Sequence, residues 1–146
     1  MEVKDYKTLI LDIRGNGGGN SDCWHGLIVP QLINNPVIYN TYLLYRGGEY
    51  SEVFMQARQI IENLQPIANI KDDQLPNIPP EATTMFNSYT KMDDILQPIH
   101  PVGFKGKIYL LVDSSVYSAS EGLAAFAKGI GTCGFPMNWC AWIRLD

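Results

Sequence analysis

The sequence has little of what disulfide-rich, metal-binding, nucleic-acid-binding and membrane proteins depend on. Its three cysteines form no CxxC pair, so neither a disulfide framework nor a zinc site is indicated, and we expect free thiols packed as small hydrophobic residues. A net charge of −4 offers no basic face to nucleic acid or to an acidic membrane. No apolar run reaches the roughly 20 residues of a membrane span. We therefore predict no metal, no cofactor, no nucleic-acid partner and no membrane span, and the oligomeric state stays open.

What the sequence does contain is enough apolar material for one compact core. With 146 residues, of which 46% are hydrophobic, the chain has the size of a single domain. We predict one domain over residues 1–130. Residues 131–146 contain two tryptophans and two cysteines in a short stretch, and we interpret them as a tail of atypical composition.

Short apolar segments predict strands of a parallel sheet. Residues 8–13 and 107–113 are nearly continuous apolar runs, which is typical of strands buried on both faces, and residues 37–45 predict a further strand. The glycine-rich residues 14–20 follow the first run, and a turn at residues 114–117 follows the second. Because the carboxyl ends of parallel strands meet at one edge, we expect both turns at that edge, where α/β proteins bind ligands.

Apolar residues at helical spacing predict three helices. The first follows the glycine loop and ends near residue 33, the second is capped by Ser51, and the third begins at Ser118. The residues expected to face inward are Trp24, Leu27 and Ile28 in the first helix, Val53, Ala57, Ile60, Ile61 and Leu64 in the second, and Ala119, Leu123, Phe126, Ala127 and Ile130 in the third.

Residues 66–106 have a different character. Six of the nine prolines lie between Pro66 and Pro101, and the apolar residues there show little periodicity. Proline removes backbone donors from helices and from sheet ladders. We therefore predict an irregular surface excursion that could serve as a lid, with a short helix near residues 82–89.

The glycine loop is a candidate site. It joins a strand to a helix, as a phosphate-binding loop does, but a GxGxxG fingerprint starting at Gly15 would need glycine where Asn20 stands. No GK[ST] follows either, so the loop is not a P-loop. Consecutive glycines can also expose the backbone N–H groups that an oxyanion hole requires. A plain structural turn remains the alternative.

Ser118, at the start of the third helix, is a candidate nucleophile. On position alone it would be a helix N-cap, and Glu121 three residues later completes a capping-box pattern. The functional interpretation has its hydroxyl attack a carbonyl at the positive end of the helix, with the amide of Ala119 holding the oxyanion. No glycines flank Ser118, so this is not the GxSxG elbow of α/β-hydrolases.

The segments LILDIRGNGGGNS and GKIYLLVDSSVYSASEGLAAFAKG together resemble the core of the C-terminal processing (tail-specific) peptidases and their tricorn-type relatives. The resemblance implies a partial catalytic domain with an α/β, crotonase-like (ClpP-like) fold, a mostly parallel sheet and crossover helices. It implies Ser118 as the nucleophile of a serine peptidase. The oxyanion donors would be the amide of Ala119 and a glycine amide in the run Gly17–Gly19, of which we favour Gly18 and then Gly19. Substrates would be peptides or proteins, and the location extracytoplasmic or secreted.

The same resemblance leaves the general base unassigned. In the lysine-dependent branch a lysine follows the nucleophile by roughly 25 residues, but no lysine occurs after Lys128, which stands about 15 Å along the helix from Ser118. In the tricorn-type branch the base is a histidine upstream of the glycine loop, and none is present. We therefore expect a fragment that is inactive alone. The alternative is a non-catalytic peptide-binding module; a crotonase-type acyl-CoA enzyme is disfavoured by the Ser-Ala-Ser-Glu motif.

The remaining polar residues near the loop are assigned to its scaffold. Asp12 and Arg14 can form an ion pair that fixes the loop, and Asn16 belongs to the same scaffold. The only histidines, His25 and His100, are interpreted as structural, with His25 the nearer to the predicted site.

Overall fold

The computed structural model describes residues 2–73, 79–132 and 139–144. The chain divides into two compact units, Met1–Tyr39 with Ile95–Asp146, and Asn40–Asp94. In the described ranges no helix has both the length and the apolar character to cross a membrane.

The described elements are strands, α-helices, one π-helix and 3₁₀ turns. The strands are β1 (Thr8–Asp12), β2 (Val37–Tyr45), β3 (Gln65–Pro66), β4 (Ser88–Leu96), β5 (Lys107–Val112) and β6 (Trp139–Arg144). The α-helices are α1 (Val29–Leu32), α2 (Glu49–Ala57), α3 (Ala82–Met85) and α4 (Ala119–Thr132). A π-helix covers Cys23–Ile28, and 3₁₀ turns cover Val3–Asp5, Ile61–Asn63 and Ile67–Asp73.

The first unit contains a parallel sheet in the order β1-β5-β6. β1 and β5 are paired in register from Thr8 opposite Lys107 to Asp12 opposite Leu111. The prediction that the two apolar runs form adjacent parallel strands is therefore confirmed. Their predicted burial on both faces is wrong for β1, in which exposed and half-buried residues alternate and Ile10 is 60% exposed. Parallel pairing brings both following turns to one edge of the sheet.

The core of this unit lies between the sheet and α4. Leu123, Phe126 and Ala127 of α4 are buried as predicted, and Phe126 is completely inaccessible to solvent. Its ring packs against Trp24 and Tyr39 at centroid distances of 5.6 and 5.4 Å. Burying a large apolar side chain of this kind stabilises the fold by about 1.5–3 kcal/mol. Aromatic contact therefore ties α4 to the helix that follows the glycine loop.

The helix after the glycine loop differs from the prediction. Trp24 is buried as expected, but Leu27 is 62% exposed, so its predicted inward position is wrong. The physical reason is the π-helical winding of Cys23–Ile28, in which i→i+5 hydrogen bonds change the angle between residues three apart. Pro30 then lies in the first turn of α1, where its missing N–H is tolerated. Cys23 is a free thiol, as predicted, but it is exposed rather than packed.

The second helix is also shorter than predicted, because α2 ends at Ala57. Gln59 has φ +56°, and this left-handed conformation terminates the helix before the predicted inward residues Ile60, Ile61 and Leu64. Val53 is 66% exposed and Met55 is buried, so the predicted apolar stripe is wrong. The residue at the N-cap position is Gly48, not Ser51.

Residues 66–106 are not wholly irregular, which corrects the predicted surface excursion. The nine-residue strand β4 lies within them and is the middle strand of a second sheet, in the order β2-β4-β3, with β3 antiparallel to β4. The prolines lie outside β4, and its consecutive Asp93 and Asp94 conceal the alternation typical of strands. The predicted short helix exists as α3. Residues 74–78 lie outside the described ranges.

The tail contains a strand that composition did not predict. Residues 139–144 form β6, which pairs in parallel with β5. Residues 133–138 and 145–146, with Cys133, lie outside the described ranges, and so do the side chains of Ile130 and Cys140.

Candidate active site

The glycine loop and the turn after β5 are joined by hydrogen bonds. The Gly15 N–H donates to both carboxylate oxygens of Asp113, each at 3.1 Å, and the Tyr117 N–H donates to the Asn16 carbonyl at 3.3 Å. Asp113 also accepts from the Ser115 N–H at 3.0 Å. The two predicted turns therefore meet at the same edge of the sheet. Asp113 was missed as a scaffold residue; its signal was an aspartate directly after a strand and before two serines.

Gly18 lies against the backbone at Ser118. A Cβ added to Gly18 would stand 2.7 Å from the Ser118 Cβ, 2.7 Å from the Tyr117 carbonyl oxygen and 3.2 Å from the Ala119 nitrogen. Contacts this short exclude any side chain, and the φ of +106° also favours glycine. Adding the intervening bonds keeps the Ser118 Oγ within about 7 Å of the Gly18 nitrogen. The structure thus brings together the two motifs that the sequence separates by about a hundred residues.

Ser118 has a strained backbone. Its φ is +56°, a left-handed conformation that is uncommon for a residue other than glycine and costs about 1–3 kcal/mol. The side chain is exposed, and α4 begins at the next residue. No described residue forms a hydrogen bond with the Ser118 hydroxyl, so the N-cap alternative is not observed. The motif predicts Ser118 as a functional residue, but the sequence does not indicate its left-handed conformation, because no glycine flanks it.

The backbone N–H groups around Ser118 differ in whether they already donate a hydrogen bond. The Gly18 N–H, the favoured oxyanion donor, donates to the Asn16 Oδ1 at 3.0 Å. Within the described ranges the amides of Gly19 and Ala119 have no acceptor, and the Ala119 amide lies at the N-terminal end of α4, where the helix dipole favours negative charge. Asn16 thus fixes the loop by binding one of its candidate donors.

The loop begins with the predicted ion pair. Arg14 donates from Nε and Nη2 to the two oxygens of Asp12 at 2.9 and 2.6 Å, and its backbone N–H donates to Asp12 as well. The hydrogen bonds from the Arg14 side chain lower the pKa of Asp12 to about 2, and the same pairing raises the pKa of Arg14. Asp12, Arg14 and Asn16 therefore hold the loop through direct contacts.

No described side chain acts as a base toward Ser118. His25 lies on the π-helix with its ring edge-on to Trp24 at 5.3 Å, and it forms no hydrogen bond with the Ser118 hydroxyl. Lys128 is ten residues along α4, about 15 Å from the start of the helix. In the part of the chain that the structure describes, no three His, Cys, Asp or Glu side chains cluster as metal ligands would.

A strained serine at a strand–turn–helix junction, with a glycine loop packed against it, is an arrangement suited to nucleophilic catalysis. The family model described as Peptidase family S41 matches residues 1–133. The chain therefore belongs to peptidase family S41, which confirms the resemblance carried by the two motifs and is consistent with a partial catalytic domain. Family membership supports a serine peptidase that acts on peptides or proteins. The comparisons with curated proteins and with solved structures returned no match.

Proposed function

We propose that this chain supplies the nucleophile half of a serine peptidase of the C-terminal processing type, with Ser118 forming the acyl-enzyme. The observation that carries the proposal is the backbone of Ser118, which is left-handed and packed against Gly18. Backbone strain at a residue other than glycine is typical of functional sites. The parallel β1-β5-β6 sheet with α4 on it is compatible with the crotonase-like core that we propose for the fold.

The proposed reaction begins with attack of the Ser118 Oγ on the scissile carbonyl carbon. A base takes the hydroxyl proton, the carbonyl oxygen becomes an oxyanion, and collapse of the intermediate releases the amine with a proton from that base. The Ala119 amide and an amide of the glycine loop hold the oxyanion. The proposed loop donor is Gly18 once its N–H leaves Asn16, or Gly19, whose N–H has no acceptor among the described residues. Removing one such donor typically lowers kcat by about 10²–10³-fold.

We propose that the general base is supplied by sequence outside this 146-residue chain. A serine hydroxyl is a weak nucleophile without a base, and general-base help is worth about 10²–10⁴-fold. Catalytic groups act as a unit, so the loss of one of them can remove nearly all of their combined rate enhancement. The 146-residue chain by itself is therefore expected not to cleave peptides at a measurable rate. The alternative, a non-catalytic peptide-binding module, is favoured by this lack of a base and by the engaged Gly18 amide.

The test is a fluorogenic peptide assay on the chain and on a longer form that carries further flanking sequence. We expect no turnover by the chain, and turnover by the longer form that Ser118→Ala abolishes and Ser115→Ala retains. Ser115 is the control because it is an exposed serine of the same turn. Turnover that survives Ser118→Ala would refute the assignment of the nucleophile. Peptide binding without turnover in either form would establish the binding module instead.

A further inference from the structure

The second unit contains a pocket at an incompletely covered strand edge. β3 pairs with β4 only opposite Ser88 and Tyr89, whereas β4 continues to Leu96. A pocket of about 340 Å³ lies next to Gln65, the first residue of β3, beside the part of β4 that β3 does not pair with. We name it the edge pocket, and its lining residues are Arg58, Gln59, Ile60, Asn63, Gln65, Thr90, Lys91 and Met92. All of them belong to the unit Asn40–Asp94.

The end of α2 and the start of β3 build one wall of the edge pocket. Gln59 turns the chain with φ +56°, and the 3₁₀ turn Ile61–Asn63 moves the backbone away from the line of β3. On the opposite side of the pocket, Thr90 is buried, with 5% of its surface exposed. Every residue of β4 from Lys91 to Ile95 is exposed. The pocket therefore stands beside a strand whose neighbour has ended.

The direction of the backbone groups along β4 follows from its pairing with β3. Tyr89 lies opposite Gln65 and Ser88 lies opposite Pro66. Because Pro66 has no N–H, the hydrogen-bonded pair is Tyr89 with Gln65, and the backbone groups of Tyr89 point toward β3. Backbone groups of successive strand residues alternate between the two neighbours, so those of Asp93 point to the same side as those of Tyr89. Among the described residues no backbone group on that side bonds to Asp93. An added strand would therefore find a donor and an acceptor there.

The charge of the edge pocket selects an anion. None of the lining residues is acidic, in a protein whose net charge is −4. Lys91 is paired with Asp93 at 3.2 Å, whereas the guanidinium of Arg58 stacks over Phe54 at 5.5 Å and has no carboxylate partner in the described part of the chain. The side-chain amides of Gln59, Asn63 and Gln65 can donate beside it. A planar carboxylate matches this set of donors, because guanidinium and carboxylate form paired hydrogen bonds.

We propose that the edge pocket and the adjoining edge of β4 bind an extended peptide segment, with a glutamate or aspartate side chain of that segment in the pocket. The peptide backbone would continue the line of β3, in the manner of an added strand, and its acidic side chain would contact Arg58. Calling the segment part of a substrate rests on the proposed function; the binding itself does not. The site lies on the second unit and uses none of the residues assigned to catalysis.

The test uses the Ser118→Ala chain, which cannot turn over peptide by the proposed route. The probe is a fluorescein-labelled, C-terminally amidated eight-residue peptide of serine, threonine and valine with one central glutamate, and its partner has glutamine there. Fluorescence anisotropy gives both Kd values. We expect Arg58→Gln to weaken the glutamate peptide about tenfold and to leave the glutamine peptide unchanged. Arg46→Gln is the matched control, because Arg46 also stacks on an aromatic ring, that of Phe86, outside the pocket.

The strand edge is tested separately with Asp93→Pro, which removes the N–H that points to the open side. Asp93→Ala loses the same carboxylate and keeps the N–H. We expect the proline variant to weaken both peptides at least tenfold relative to the alanine variant, with thermal unfolding showing that both are folded. Equal effects of Arg58→Gln and Arg46→Gln, or equal binding by the proline and alanine variants, would overturn the proposal. So would tighter binding of a glutamate-free peptide with a free C-terminal carboxylate. If the peptide binds but no form of the protein shows peptidase activity, the proposed function is contradicted and the proposed peptide site is not.

Discussion

At the scale of single residues, the candidate site depends on one close approach between Gly18 and Ser118. Ser118 has a left-handed backbone, and Gly18 lies against it. A Cβ on Gly18 would stand only 2.7 Å from the Tyr117 carbonyl oxygen, so only glycine fits at this position. The position of the Ser118 backbone therefore requires glycine at residue 18. The sequence could predict both residues from their motifs, but not the strain, because a positive φ at a serine leaves no trace in composition.

Gly18→Ala tests this dependence. The added Cβ would meet backbone at 2.7 Å and would impose a φ of +106° on alanine, so the loop must move away from Ser118. We expect a loss of about 1–3 kcal/mol in the free energy of unfolding and at least a 100-fold loss of activity in the active form. Gly17→Ala is the control, because its Cβ would meet nothing within 4 Å. Equal stability and activity of the two variants would contradict the close approach.

The Asp12–Arg14 pair makes a prediction about pH. Its hydrogen bonds lower the pKa of Asp12 to about 2, below the unfolded value near 3.9. A lowered folded-state pKa means that the pair contributes to stability above about pH 4, and that this contribution is lost as the pH falls through about 2. NMR titration of the Asp12 carboxyl should give the low pKa, and Arg14→Gln should raise it. Arg46→Gln should leave it unchanged; the same titration in all three proteins would show that Arg14 is not the cause.

At the scale of elements, Asp113 joins the turn after β1 to the turn after β5. Its carboxylate accepts the Gly15 and Ser115 amides, so a single side chain fixes both turns. The sequence could place the turns at one edge because parallel strands require it. It offered Asp113 only as an aspartate in a turn, and not as the acceptor of the Gly15 N–H, because an aspartate after a strand is compatible with many turns.

Asp113→Ala should loosen both turns while leaving the sheet intact. Hydrogen bonds to a charged acceptor are worth about 1.5–3 kcal/mol when well formed, and less when exposed as these are. We expect faster hydrogen exchange at the amides of Gly15 and Ser115, and unchanged protection in β1 and β5. Asp12→Ala serves as the comparison because it releases Arg14 but leaves the Gly15 bond to Asp113. Unchanged exchange at Gly15 in Asp113→Ala would show that the bond does not hold the turn.

Helix boundaries were the least predictable elements. Hydrophobic spacing assumes 3.6 residues per turn, which fails where Cys23–Ile28 winds as a π-helix and exposes Leu27. It also fails where Gln59 stops the second helix in a left-handed conformation. In α4, by contrast, Leu123, Phe126 and Ala127 are buried as predicted, because no such interruption occurs among them.

At the scale of the whole molecule, the parallel sheet was predictable and the second unit was not. β1 and β5 come from nearly continuous apolar runs, which predict strands of a parallel sheet, although Ile10 of β1 is 60% exposed and burial on both faces is not observed. β4 contains Lys91, Asp93 and Asp94, and its residues from Lys91 to Ile95 are exposed, so its sequence lacks the apolar alternation of a half-buried strand. The proline-rich flanks then favoured irregular structure. Where both faces of a strand are exposed, the sequence shows no alternation of apolar and polar residues from which the strand could be predicted.

Covalent labelling can identify Ser118 as the nucleophile. A longer, active form would be treated with a fluorophosphonate and digested, and the modified residue would be located by mass spectrometry. We expect a single stoichiometric adduct on Ser118, lost in Ser118→Ala and strongly slowed in Gly18→Ala, with none on the neighbouring Ser115 or Ser120. An adduct on a different serine, or labelling that survives Ser118→Ala together with activity, would contradict this assignment.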